Sequence, residues 1–150
     1  MDDCFYLTNM CPQIHELNDG AWKYLEEKCR TNATRDGELT IICGPVLTEG
    51  FTKTIGTSPV PVPDKYFKVI LTRSVNGGDP QAIGFIMPNS YVEGGMQATA
   101  VSVDEVERLT GHDFFYKIAD ATEAALESQN DFNRFSTGRA SKASRRASAK

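Results

Sequence analysis

The sequence has no long apolar run, no paired-cysteine zinc word and no surplus of positive charge, and each absence closes off a class of function. No window approaches the roughly 18 uninterrupted apolar residues of a membrane-crossing helix, so no membrane partner is expected. Met1-Asp2-Asp3 is not the basic start of a secretion signal, which leaves the compartment open. Cys4, Cys11, Cys29 and Cys43 all fall in the first third and form no Cys-x-x-Cys pair, so zinc is not expected. They allow three full disulfide pairings or can stay as thiols; a composition of 40% hydrophobic and 24% charged residues builds a core without staples, which favours thiols or one bridge. The same length and core content exclude a small disulfide-held secreted protein. Five of the 16 basic residues lie in the last 15 positions, so the remainder sets 11 basic against 20 acidic groups, a net of −9. That balance argues against tight binding through phosphate neutralisation.

What is present reads as one mixed domain over residues 1–135 and a basic, disordered tail over 136–150. Cys4 to Leu7 ends a strand, and Pro12 bars helix in the connection that follows. A helix is expected from Asp19 to Ala33, with Trp22, Leu25 and Cys29 as its buried stripe and Asp36-Gly37 as its exit. Leu39-Thr40-Ile41-Ile42-Cys43 is short and β-branched, which predicts a central strand ended by Gly44-Pro45. Thr48 to Pro63 is a long loop. Tyr66–Thr72 and Ala82–Met87 form a hairpin through Asn76-Gly77-Gly78-Asp79-Pro80. Lys68 alternates with Phe67 and Val69, so it faces solvent or a phosphate, with solvent favoured. Ser102-Val103-Asp104-Glu105 is a capping box for a short helix ended by Gly111, with Val103, Val106 and Leu109 inward. Phe114 and Phe115 fill the core, and Ala119 to Gln129 is a surface helix. From Ser136 no large apolar residue remains, and Arg139, Lys142, Arg145, Arg146 and Lys150 make the end basic. Those cations touch phosphate backbones non-specifically, or the tail only solubilises; Arg145-Arg146-Ala147-Ser148 is also similar to a basophilic-kinase site.

The chemistry-bearing stretch runs from Asn9 to Glu26. Asn18, Trp22 and Glu26 are four apart, and an ideal helix fans them over only about 80°. An amide oxygen and a carboxylate then share a face, and both are hard donors of the kind that suits a largely hydrated Mg²⁺. Asn18 would be the direct ligand and Glu26 would hold a bound water. The competing reading is that Asn18-Asp19 is a helix N-cap, which spacing alone favours.

The words Asn9-Met10-Cys11-Pro12-Gln13, Leu17-Asn18-Asp19-Gly20-Ala21-Trp22 and Leu25-Glu26 resemble the core of the DNA/RNA non-specific endonucleases, the ββα-metal nucleases. Cys43-Gly44-Pro45, Val62 to Val69, Phe85-Ile86-Met87-Pro88-Asn89 and Val103 to Phe115 are similar to later landmarks, in the same order. The resemblance implies an α+β fold of the ββα-metal (His-Me finger) type, an antiparallel sheet flanked by helices. It implies Asn18 as the single protein ligand of Mg²⁺ or another divalent cation such as Mn²⁺, with Glu26 and Asn9 as catalytic residues that order the site. DNA and RNA are the implied partners, with hydrolysis of their phosphodiester bonds the implied activity. Members are often secreted, periplasmic or organellar.

The Asp-Arg-Gly-His word that carries the family's general base does not occur, so the chain is expected to be an N-terminally truncated copy, inactive or weak alone. The base, worth roughly 10²–10⁴-fold, is assigned outside it. His15, three residues before Asn18, is a minor candidate for that role and His112 a lesser one. The alternative is a non-catalytic remnant that binds nucleic acid or protein. Exposed sheet edges predict poor stability, or association with a second copy or a complementing N-terminal segment.

Overall fold

The computed structural model describes residues 10–47 and 53–139. Asn9, Cys4 with the strand end expected beside it, part of the Thr48–Pro63 loop and most of the basic tail lie outside those residues.

The first helical stretch is α1 (His15–Leu17), a wide π turn over Asn18–Trp22, and α2 (Lys23–Asp36). It starts four residues ahead of the expected Asp19, because Pro12 forbids helix only up to itself and Ile14 is already free to serve as N-cap. Gly20 leaves helical geometry at φ −104° and ψ −121°, which marks the kink between the two helices. The helix ends at Gly37, where φ +92° is open to glycine and closed to most side chains.

A four-stranded antiparallel sheet follows, in the order β1 (Leu39–Val46), β4 (Lys65–Thr72), β5 (Gln81–Pro88), β6 (Ala100–Val101). The expected hairpin is present, with Lys65 opposite Pro88 and Thr72 opposite Gln81. Within the loop between β1 and β4, β2 (Thr54–Ile55) and β3 (Val60–Pro61) make a small separate ribbon. Two expectations are corrected at β1: among the described residues it is an edge strand, paired only with β4, and it continues through Gly44-Pro45 to Val46. Proline lacks the N–H that a second neighbour needs, so Pro45 is tolerated at an edge and not in the centre.

The sheet divides two layers of core. On one face α1, the π turn and α2 set Leu17, Ala21, Trp22, Leu25 and Cys29 against Tyr66, Ile70, Phe85 and Met87. On the other, Phe67, Val69 and Leu71 meet Val103, Val106, Phe114 and Leu126. Alternation along β4 sends Lys68 to the α2 side, where it is 4% exposed. The expectation that Lys68 faces solvent therefore fails, because both faces of this strand are covered.

The second layer holds α3 (Val103–Thr110) and α4 (Asp120–Glu127). Ser102 Oγ accepts the Glu105 N–H at 3.2 Å as the capping pattern requires, and Gly111 ends α3 at φ +71°. Leu109, expected inside, is 37% exposed, while Val103 and Val106 of the same stripe are buried. Backbones approach closely here: a Cβ on Gly84 would meet Val106 Cγ2 at 2.7 Å and the Ser102 carbonyl at 2.8 Å.

α5 (Phe132–Thr137) returns to the α2 side. Its last two residues, Ser136 and Thr137, are helical, two positions past the expected start of the tail. Phe135 is 2% exposed, and its carbonyl accepts a hydrogen bond from the buried Asn32 side chain at 2.9 Å.

Candidate metal site

Asn18 lies in the π turn with helical φ −61° and ψ −45°. Its backbone N–H already donates to the Ile14 carbonyl at 2.9 Å, and its side chain caps nothing. The N-cap reading of Asn18 is thereby removed: the residue is inside the helical path and not at its entrance. The amide is exposed, and among the described residues it makes no hydrogen bond. Its neighbour Asp19 is committed elsewhere, to Lys23 Nζ at 2.8 Å; that hydrogen bond, with the ammonium charge, holds the Asp19 carboxyl below its ordinary range.

Glu26 lies in the first turn of α2, beyond the kink at Gly20. Lys68 Nζ lies 3.7 Å from its Oε1 and Arg30 4.0 Å from its Oε2, with the Glu26 side chain 42% exposed. The Lys68 ammonium also sits 4.1 Å from the centre of the Trp22 ring, a cation–π contact. Trp22 is a core residue, 8% exposed, edge-on to Tyr66. Beneath Glu26 an open groove of about 590 Å³ is lined by Lys68, Cys29, Arg30 and Ile41.

The approach to the helix is clamped by residues that spacing did not single out. Asn89 Oδ1 accepts the Ile14 N–H at 2.7 Å, while its Nδ2 donates to the carbonyls of Pro12 at 3.0 Å and Pro63 at 2.9 Å. Tyr66 Oη donates to the same Pro12 carbonyl at 2.9 Å. Burial, followed by the Cys11 thiol, pushes the Tyr66 phenol up, so it stays a donor. Pro12 is thus pinned by Tyr66 of β4 and by Asn89, the residue after β5, just ahead of the stretch that carries Asn18. The only signal of this was the Pro88-Asn89 pair itself; the partners were not readable. Gln13 Nε2 is enclosed and has no partner among the described residues.

The two histidines differ in place. His15 opens α1 and is exposed. His112 packs edge-on against Phe114 at 6.1 Å, and Phe114 belongs to the opposite layer, so the sheet separates His112 from Asn18. Cys11, Cys29 and Cys43 are free thiols.

A family model for DNA/RNA non-specific endonucleases matches residues 1–121. The chain belongs to the DNA/RNA non-specific endonuclease family. It is 33% identical over 153 residues to the mitochondrial nuclease EXOG of Danio rerio, covering 91% of this chain and 45% of that protein. It is 34% identical over 123 residues to human mitochondrial endonuclease G, covering 74% of this chain and 41% of the relative. The chain therefore spans less than half the length of these nucleases. Among solved structures, that of the EndoG/EndoGI complex matches with a TM-score of 0.68 at 28% identity, over 79% of this chain and 53% of the other. The α+β architecture, an antiparallel sheet with helices on both faces, is the one this match supports.

Donor chemistry in this family member fits a hard divalent cation: an exposed, uncommitted amide oxygen at Asn18 and a half-exposed carboxylate at Glu26, eight residues on, with no thiol or imidazole between them in sequence.

Proposed function

We propose that this chain carries the metal-holding part of a non-specific nuclease site acting on DNA and RNA, with Mg²⁺ or a related ion such as Mn²⁺ as cofactor. The observation that carries this reading is the Asn18 side chain, which is exposed, free of any capping role and set in a π turn, a distortion frequent at functional sites. Asn18 holds the ion and Glu26 orders the water around it, with Lys68 and Arg30 keeping the carboxylate in place. Asn9 belongs to the same set by the family pattern. A bound divalent cation supplies charge stabilisation at the scissile phosphate and the leaving oxygen. Lys68, whose ammonium faces the groove beside Glu26, adds positive charge in a chain that is otherwise acidic.

The Asp-Arg-Gly-His word that carries the family's general base does not occur in these 150 residues, which supports weak cutting by the chain alone. Strand β1 pairs only with β4 among the described residues, and its Ile41 and Ile42 are exposed. That edge is the surface through which a second copy or a complementing segment would add. The second reading, a non-catalytic remnant that binds nucleic acid or protein, is favoured by the absent base and the acidic balance.

Electron paramagnetic resonance with Mn²⁺ tests the site directly. Wild type is expected to bind an ion that Asn18→Ala loses, and Glu26→Gln to weaken it by about 10–100-fold, as loss of an outer carboxylate does. An unchanged number of bound ions in Asn18→Ala would end the metal assignment. Plasmid and RNA cleavage by the same samples separates nuclease from remnant: weak EDTA-sensitive cutting indifferent to His15→Ala is expected. Robust cutting lost in His15→Ala would move the base into this chain.

A further inference from the structure

The layer on the far side of the sheet holds a second set of acidic groups that the nuclease reading does not use. Asp104 and Glu107 lie one turn apart on α3, and Glu127 ends α4. One carboxylate oxygen of each lies within 4.8 Å of those of the other two. Glu127 is 6% exposed, and its Oε1 is enclosed with no hydrogen-bond partner. A buried carboxylate is normally paired or hydrogen-bonded. Here burial first, then the charges of Glu107, Glu123, Asp104 and Asp113, push the Glu127 carboxyl up to about 7. All four of those charges are negative. Glu123, one turn earlier on α4, also has an enclosed and unpartnered Oε1. Glu107 is already oriented, its Oε1 accepting the Phe114 N–H at 2.7 Å, which leaves its second oxygen for a ligand.

We propose that Asp104, Glu107 and Glu127 form a site for a hard divalent cation of the Ca²⁺ kind, which ties α4 to α3. Three oxygens at about 2.3–2.6 Å from one Ca²⁺ stand up to about 4.5 Å from one another, so a set already within 4.8 Å needs at most a small closing movement. Mg²⁺ demands near-ideal octahedral geometry and usually keeps several waters with one or two carboxylates, so a set of three protein carboxylates suits Ca²⁺ better. Zinc is disfavoured by a set without nitrogen or sulfur. The cation answers the unpartnered Glu127 oxygen and the crowding of negative charge in one step. The sheet lies between this cluster and Asn18, so the two sites stand or fall separately.

Thermal unfolding of the EDTA-treated chain, with and without CaCl₂, tests the site. Wild type and Asn18→Ala are expected to rise by several degrees once Ca²⁺ is about a hundredfold above its Kd. Glu127→Gln is expected to be at least as stable as wild type in EDTA, having lost a buried charge, and to ignore Ca²⁺. Should Glu127→Gln show no folding transition, Asp104→Asn, on a partly exposed position, replaces it with the same expected loss of response. No Ca²⁺ shift in wild type, or an undiminished shift in the carboxylate variants, would overturn the assignment.

Discussion

A single side chain illustrates how far exposure separates chemistry from stability. Asn18 is exposed and bonds to nothing among the described residues, so Asn18→Ala is expected to change unfolding free energy by no more than about 0.5 kcal/mol. Ser102 does cap a helix, and Ser102→Ala is expected to cost about 1 kcal/mol in urea unfolding. A large loss in Asn18→Ala would mean that the amide has a structural partner. Cysteine reactivity divides in the same way. Burial pushes the Cys29 thiol up to about 11 against the pull of the Lys68 ammonium, while Cys11 and Cys43 are exposed. Iodoacetamide at pH 8, read by peptide mass mapping, is expected to label Cys11 and Cys43 and to spare Cys29 until the chain unfolds.

Elements meet here through contacts too close for ordinary side chains, or through buried charge. β5 reaches α3 at Gly84, and Gly84→Ala would drive a methyl group into Val106 and the Ser102 carbonyl. Overpacking of this kind costs about 1–3 kcal/mol, measurable as a lower urea midpoint at unchanged slope. The end of α2 is joined to the β4–β5 turn by Asp36, whose Oδ1 accepts the Asn76 N–H at 2.8 Å and whose carboxylate pairs with Arg35. Burial raises the Asp36 carboxyl, but the Arg35 hydrogen bond and the Asn76 N–H outweigh it and leave it below its ordinary value of 3.8. A depressed carboxyl stabilises the fold above its unfolded pKa, and that contribution is lost as pH falls through the lower folded value. Wild type is therefore expected to lose stability below about pH 4 more steeply than Asp36→Asn. Parallel acid titrations of the two, followed by circular dichroism, check the sign.

At the scale of the whole molecule, one sheet is covered on both faces, and the last helix completes the cover over α2. Phe135 packs on Phe85 with ring centres 5.5 Å apart, and its backbone carbonyl satisfies Asn32. Phe135→Ala is expected to cost about 3–5 kcal/mol, and a chain stopped before α5 to lose cooperative unfolding. A truncated chain with an unchanged transition would show that α2 and the sheet hold together without it.

Local chemistry was legible in the sequence wherever a pattern acts within a few residues. The Ser102 cap, the Gly111 stop, the β4–β5 hairpin and the Trp22-Leu25-Cys29 stripe all depend on neighbours along the chain. So do the family words around Asn18, which single it out as the candidate ligand. What needed tertiary structure was everything decided across the sheet. Lys68 reads as solvent-facing because alternation names a face and not what covers it; α2 supplies the cover, with Trp22 and Glu26. β1 reads as central because β-branched composition reports strand and not position within the sheet. The Pro12 clamp by Asn89 and Tyr66 spans more than 50 residues, and the meeting of Asp104, Glu107 and Glu127 joins two helices. Periodicity carries no information about which faces will be pressed together; burial and pairing across long loops settle that.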